Sequence, residues 1–283
     1  MRPQPTTLMT GLAMGESPRW HDDRLWFADW GTQQVMAVEL DGTSEVVLGV
    51  QTAPISIDWL PDGRLLVVSG GDGRLLRREP DGSLVTHADL AALSTYAWNE
   101  IVVDGRGNAY VNTIGFDFAT NQDAASGSVA VVRPDGSARL VADGVSFPNG
   151  MALTSDDATL ILAESYANRL TAFDVDPDGG LSNRRMWADL GDGYPDGICL
   201  DAEGAVWYAD VPNRRCVRVR EGGEVLQTVD FDLGCFACML GGPGGTTLCV
   251  MAAEWSGPES MAGGERTGRI VTVDAPAPGA GRP

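Results

Sequence analysis

Asp62-Gly63-Arg64-Leu65-Leu66-Val67 is a tight turn running directly into an apolar strand, and the chain repeats that signature from end to end. It recurs as Asp22-Asp23-Arg24-Leu25-Trp26-Phe27, Arg106-Gly107-Asn108-Ala109-Tyr110-Val111 and Asp156-Asp157-Ala158-Thr159-Leu160-Ile161. Glu203-Gly204-Ala205-Val206-Trp207-Tyr208 and Gly244-Gly245-Thr246-Thr247-Leu248-Cys249 complete the set. Measured at the second turn residue, the steps are 40, 44, 50, 47 and 41 residues. Most units carry a further strand pattern closed by Asp-Gly, such as Gln34–Val38 before Asp41-Gly42 and Ser128–Val132 before Asp135-Gly136. Asp-Gly between β-rich segments marks a hairpin, because glycine accepts the positive φ such turns need. Six units of about 45 residues predict an all-β, six-bladed β-propeller. A β-sandwich would not hold this period along the whole chain.

The repeat makes the 283 residues one domain. The blades are expected at 14–52, 53–95, 96–144, 145–192, 193–233 and 234–274. The last lacks a fourth strand, and the strand-like Thr6–Leu12 is expected to supply it, joining the chain ends and removing an open edge. The Pro- and Gly-rich 275–283 reads as a loose tail.

With 20 Lys and Arg against 39 Asp and Glu, the formal charge is −19, which disfavours nucleic acid and anionic membrane as partners. No apolar stretch is long enough to span a bilayer, and Met1–Pro5 leads into nothing like a signal peptide, so a cytoplasmic protein is expected. Five cysteines, all in the last third, form no disulfide framework. Cys235-Phe236-Ala237-Cys238 has no second pair beside it and reads as core. A small-molecule substrate and a monomer or weak homo-oligomer fit this balance.

In a propeller the innermost strand of each blade starts at one end of the central channel. Counting back seven or eight residues from each anchor gives Glu16, Ser56, Asn99, Asn149, Asp196 and Cys238 at equivalent depth. Glu16, Asn99, Asn149 and Asp196 are hard oxygen donors suited to a divalent cation. Taken singly, Asn149-Gly150 and Asp196-Gly197 are equally ordinary turn dipeptides. Together, like charges converging on one axis call for a cation between them.

Four segments in order, Gly15-Glu16-Ser17-Pro18-Arg19-Trp20, Asn99 with Asp104-Gly105-Arg106-Gly107, Pro148-Asn149-Gly150-Met151-Ala152 and Pro195-Asp196-Gly197-Ile198, span nearly the whole chain. In them the sequence resembles the senescence marker protein, gluconolactonase and luciferin-regenerating enzyme family, also called regucalcin-like. The resemblance implies a six-bladed propeller with one divalent metal on Glu16, Asn149 and Asp196, and a lactone-hydrolysing activity. It implies calcium first, with zinc, manganese, magnesium or iron as other occupants, and Asn99 as a contact to substrate or water. Sugar-lactonase members carry an arginine two residues before the position of Asn99, where this chain has Ala97. The departure weakens the case for a sugar lactone and leaves the metal set intact.

No Gly-x-Ser-x-Gly motif is present, and neither His21 nor His87 has a nominated partner, so a nucleophilic triad is not expected. A metal-dependent lactonase needs none: the cation would act as Lewis acid on the carbonyl, and Asp196 is the candidate catalytic base. Around the metal, Asn99, Trp98, Ala97, Asp117, Phe147, Tyr194 and Phe236 are the expected substrate contacts, with Phe116, Phe118, Trp255 and Glu259 on neighbouring loops. Phe147, Tyr194 and Trp98 serve equally well as packing between blades. An aromatic rim suits a substrate less polar than a sugar lactone. A metal-dependent isomerase or cyclase, and a non-catalytic binding propeller, are the competing functions on this scaffold.

Overall fold

The computed structural model describes residues 5–118, 120, 123–257 and 266–281, so Glu259 lies outside the described residues. Its strands form six four-stranded antiparallel sheets, five running from innermost to outermost strand in chain order and the sixth taking its outermost strand from the start of the chain. The innermost strands of blades 1 to 6 are Gly15–His21, Ile55–Trp59, Trp98–Val103, Pro148–Leu153, Pro195–Leu200 and Gly234–Gly241. This is the predicted propeller. All six repeat anchors, Asp23, Gly63, Gly107, Asp157, Gly204 and Gly245, have φ between 58° and 85°. The turn that sets the period is thus a left-handed one, which explains why only Asp and Gly occupy it.

Ring closure follows the expected route. Thr6–Leu12 pairs antiparallel with Gly268–Asp274, from Thr6 opposite Thr272 to Leu12 opposite Gly268. Blade 3 runs past its expected end at 144, because its outer strand Ala138–Ser146 continues on Ser126–Val132 through two register shifts. Residues 275–281 are not a loose tail. Ala277 is buried, Ala280 donates its N–H to the Leu200 carbonyl at 3.0 Å, and Ala202 donates to Pro278 at 2.8 Å. Ala275 and Gly279 donate to Thr246 and Gly245, so the segment bridges blades 5 and 6. Its prolines lower the entropy of ordering it.

The core lies between the sheets. Trp98 and Trp207 are fully buried, with Tyr110 and Tyr208, between successive blades. All five cysteines are buried and unpaired by disulfide, as core residues. Much of the negative charge sits in turns: Asp62, Asp135 and Asp156 each accept a backbone N–H two residues on. Those bonds, with side-chain donors beside them, hold these carboxyls below the usual range. No helix among the described residues is long and apolar enough to cross a membrane.

Candidate metal centre

One local device separates the donor positions from their equivalents. In blade 3, Asn99 and Glu100 together oppose Asn112; in blade 4, Asn149 and Gly150 oppose Ala163; in blade 5, Asp196 and Gly197 oppose Ala209. In blade 1 the bulge falls just after Glu16, at Ser17-Pro18, and Ser17 takes φ 49°. Such bulges re-aim side chains at the rims of barrels and channels. The bulge of blade 6 falls earlier, at Phe236, and at the equivalent positions without a donor the pairing is regular, Ser56 facing Val68 and Cys238 facing Val250. Their side chains turn to the neighbouring blade instead. Ser56 Oγ donates to the Asn99 carbonyl at 2.6 Å, and Cys238 Sγ lies 3.6 Å from the Gly197 carbonyl.

A chain of side-chain to backbone bonds fixes the inner strands relative to one another. The Ile57 N–H donates to Ser17 Oγ at 3.0 Å, Asn112 Nδ2 donates to the Asn149 carbonyl at 2.7 Å, and Ser165 Oγ donates to the Pro195 carbonyl at 2.6 Å. The Asn112 side-chain oxygen also accepts the Glu100 N–H at 3.3 Å, satisfying the donor that the bulge frees. Gly150 permits a close approach: a Cβ there would stand 2.5 Å from the Ile198 nitrogen and 2.7 Å from the Asp196 carbonyl oxygen.

Glu16 and Asn99 are buried, while Asn149 and Asp196 are half-buried. Burial, then the charges of Asp196 and Glu100, push the Glu16 carboxyl well above its ordinary range. Burial and Glu100 do the same to Asp196, against the opposing pull of the Asn149 amide. Glu100, absent from the expected set, is thus part of this electrostatic cluster. Burial raises it too, opposed by Arg19. Arg19 Nη2 donates to the Ile101 carbonyl at 2.6 Å and stands 3.9 Å from Glu100, so its guanidinium links blade 1 to blade 3. Glu100 directly follows Asn99, and Arg19 closes the blade 1 bulge; a bulge exposing two neighbouring residues to the axis was the missing signal.

Among the described residues no group of three His, Cys, Asp or Glu side chains is close enough to hold an ion by itself. Two carboxylates completed by the Asn149 amide oxygen, and by water or substrate, form a set that does fit a hard divalent cation. Carboxyls that repel one another and are poorly hydrated are what a cation would relieve.

The other expected contacts separate. Trp98 is fully buried with Leu66 and Ile101, so it packs between blades and does not face substrate. Asp117 is exposed, and its carboxylate accepts the Thr120 N–H within its own loop. Ala97 and Tyr194 are exposed, Phe147 is half-buried and Phe236 is buried. His21 stacks on Trp59 at 4.1 Å and His87 contacts Arg77, so neither joins the donor cluster.

A six-bladed propeller with candidate oxygen donors on its inner strands defines the class. Residues 14–254 match the family described as SMP-30/gluconolactonase/LRE-like region, and the chain belongs to that family. It is 30% identical to regucalcin of Xenopus laevis over 268 residues, covering 89% of each chain. It is 26% identical to pentonolactonase XacC of Haloferax volcanii, covering 95% of this chain and 94% of that one. The fold matches a luciferin-regenerating enzyme structure with a TM-score of 0.82 at 19% identity, covering 98% of each.

Proposed function

We propose that the protein is a divalent-metal-dependent hydrolase of lactones. What supports this is the position of Glu16, Asn149 and Asp196 at or beside the bulges of three inner strands, with both carboxyls pushed up by burial and by neighbouring carboxylates. The pentonolactonase among its relatives supports the reaction class. Glu16, Asn149 and Asp196 would hold the cation, which when bound supplies Lewis-acid polarisation of the lactone carbonyl.

The chain's own residues do the rest. Asp196 is half-buried and would be the carboxylate that takes the proton of an attacking water. Asn99 offers its amide to substrate or water, while the Ser56 bond to its carbonyl fixes the backbone that carries it. Arg19 keeps Glu100 paired, so that Glu100 does not compete for the incoming proton. Removing divalent ions with EDTA should abolish lactone hydrolysis, and adding them back should restore it. Asp196→Asn should lower kcat by at least about 100-fold, the usual scale for a general base, with an unchanged circular dichroism spectrum. Full activity of the metal-free protein would refute the proposal.

A further inference from the structure

At the donor end of the channel the described side chains form a connected set of rings. Tyr166 meets Phe147 at 4.5 Å between centroids, Phe147 meets Phe116 and Phe118 at 5.7 and 5.3 Å, and Phe118 lies parallel to Trp255 at 6.3 Å and 4°. Trp255 meets Phe236 edge-on at 5.7 Å, and Met14 and Trp30 pack with Phe236. Phe118 follows the second strand of blade 3 and Trp255 follows that of blade 6. Those blades face each other across a six-membered ring, so the Phe118–Trp255 contact crosses the channel mouth. Phe147 stands two residues before Asn149, and Phe236 occupies the bulge of the blade 6 inner strand. Phe147 thus directly precedes the strand that carries Asn149, and Phe236 lies on the inner strand next to the one that carries Asp196.

Among the described residues, the starts of the inner strands offer few polar partners at the same level. The residues two before the axial positions of the first five blades are Met14, Pro54, Ala97, Phe147 and Tyr194, of which only Tyr194 has a polar side chain, and the Trp30 indole N–H is already given to the Ile55 carbonyl at 2.6 Å. A polyhydroxylated lactone seated here would bury hydroxyls against ring faces without partners, which is unfavourable. A flat apolar ring meets the opposite situation, with stacked and edge-on contacts available together.

We infer that the preferred substrates are lactones fused to, or substituted by, a flat apolar ring, held by Phe118, Trp255 and Phe147 while the acyl carbon reaches the Glu16–Asn149–Asp196 set. This rests on the lactone-hydrolysis reading above. Water adds across the acyl C–O bond of an aryl-fused lactone, giving a carboxylate, the phenol and one proton, with no redox partner.

The test compares 3,4-dihydrocoumarin with glucono-δ-lactone, by proton release, on metal-loaded protein and its Trp255→Ala and Trp255→Phe variants. The aryl lactone should show a kcat/KM at least about tenfold above the sugar lactone. Trp255→Ala should raise the KM for the aryl lactone about tenfold with kcat little changed, while Trp255→Phe stays near wild type, as expected for a lost ring contact. A sugar lactone turned over as well as the aryl one, or an unaltered KM in Trp255→Ala, would overturn the inference and leave lactone hydrolysis standing. Hydrolysis of neither would refute the hydrolysis reading itself. In that case the substrate claim falls with it, and the ring-binding part alone is decided by calorimetric binding of the unreactive lactam 3,4-dihydroquinolin-2-one: about tenfold weaker binding to Trp255→Ala supports it, and equal binding overturns it.

Discussion

Gly150→Ala tests how the propeller builds its axial site. The added Cβ would stand 2.5 Å from the Ile198 nitrogen, 2.7 Å from the Asp196 carbonyl oxygen and 2.9 Å from the Gly197 Cα. All three are backbone atoms of the neighbouring inner strand, so no side chain can swing aside. Ordinary contact needs about 3.4 Å or more, so the strands of blades 4 and 5 must part by about 1 Å. Overpacking of that kind costs about 1–3 kcal/mol. For a chain of this size that lowers Tm by about 3–9 °C, taking roughly 3 °C per kcal/mol. The displacement falls on Asn149 and Asp196, which flank the contact. Divalent-ion affinity should therefore drop at least about tenfold, more than a surface substitution of equal Tm cost would give. Differential scanning calorimetry and ion titration read the two effects separately. A Gly150→Ala protein with wild-type Tm and wild-type ion affinity would refute the reasoning.

Other outcomes follow from the same structure. In chelator, Glu16 and Asp196 hold protons that the unfolded chain has lost, between the ordinary carboxylate range and their raised values, so their contribution to stability falls as pH rises through that window. Glu16→Gln should then be more stable than the metal-free parent at pH 8, with the gap closing toward pH 5. A gap that widens on acidification, by calorimetric Tm, contradicts this. Ala97→Arg should raise kcat/KM for glucono-δ-lactone by about tenfold or more, because it supplies a charged donor for substrate hydroxyls; steady-state kinetics showing no gain would reject Ala97 as the specificity switch. Deleting residues 275–283 should lower Tm by several degrees, since it removes the hydrogen bonds to Thr246, Gly245, Leu200 and Ala202 and the buried Ala277. An unchanged Tm would restore the loose-tail expectation.

The fold was legible because one physical requirement, a left-handed residue in the first turn of every blade, leaves Asp or Gly at a fixed interval. Counting from that turn names the candidate donors. What counting does not reveal is pairing. The same depth is bulged in blades 3, 4 and 5 and regular in blades 2 and 6, which is why Asn149 and Asp196 join the cluster whereas Ser56 and Cys238 bond to the next blade. Glu100 escaped for the same reason: strict alternation would point it away from the axis beside Asn99, and the bulge removes that alternation. Trp98 was ambiguous between rim and core, and burial decides for core. The tail misled because composition speaks of flexibility, whereas its order comes from backbone partners far along the chain.

The central claim is that Glu16, Asn149 and Asp196 form one divalent-cation site on the axis. Calorimetric titration of chelator-treated protein with calcium, and then with manganese and zinc, tests it most directly. The account predicts one ion per chain, with affinity lost in Asp196→Ala and in Glu16→Gln. No binding of any of these ions, or binding unaffected by either substitution, would contradict it.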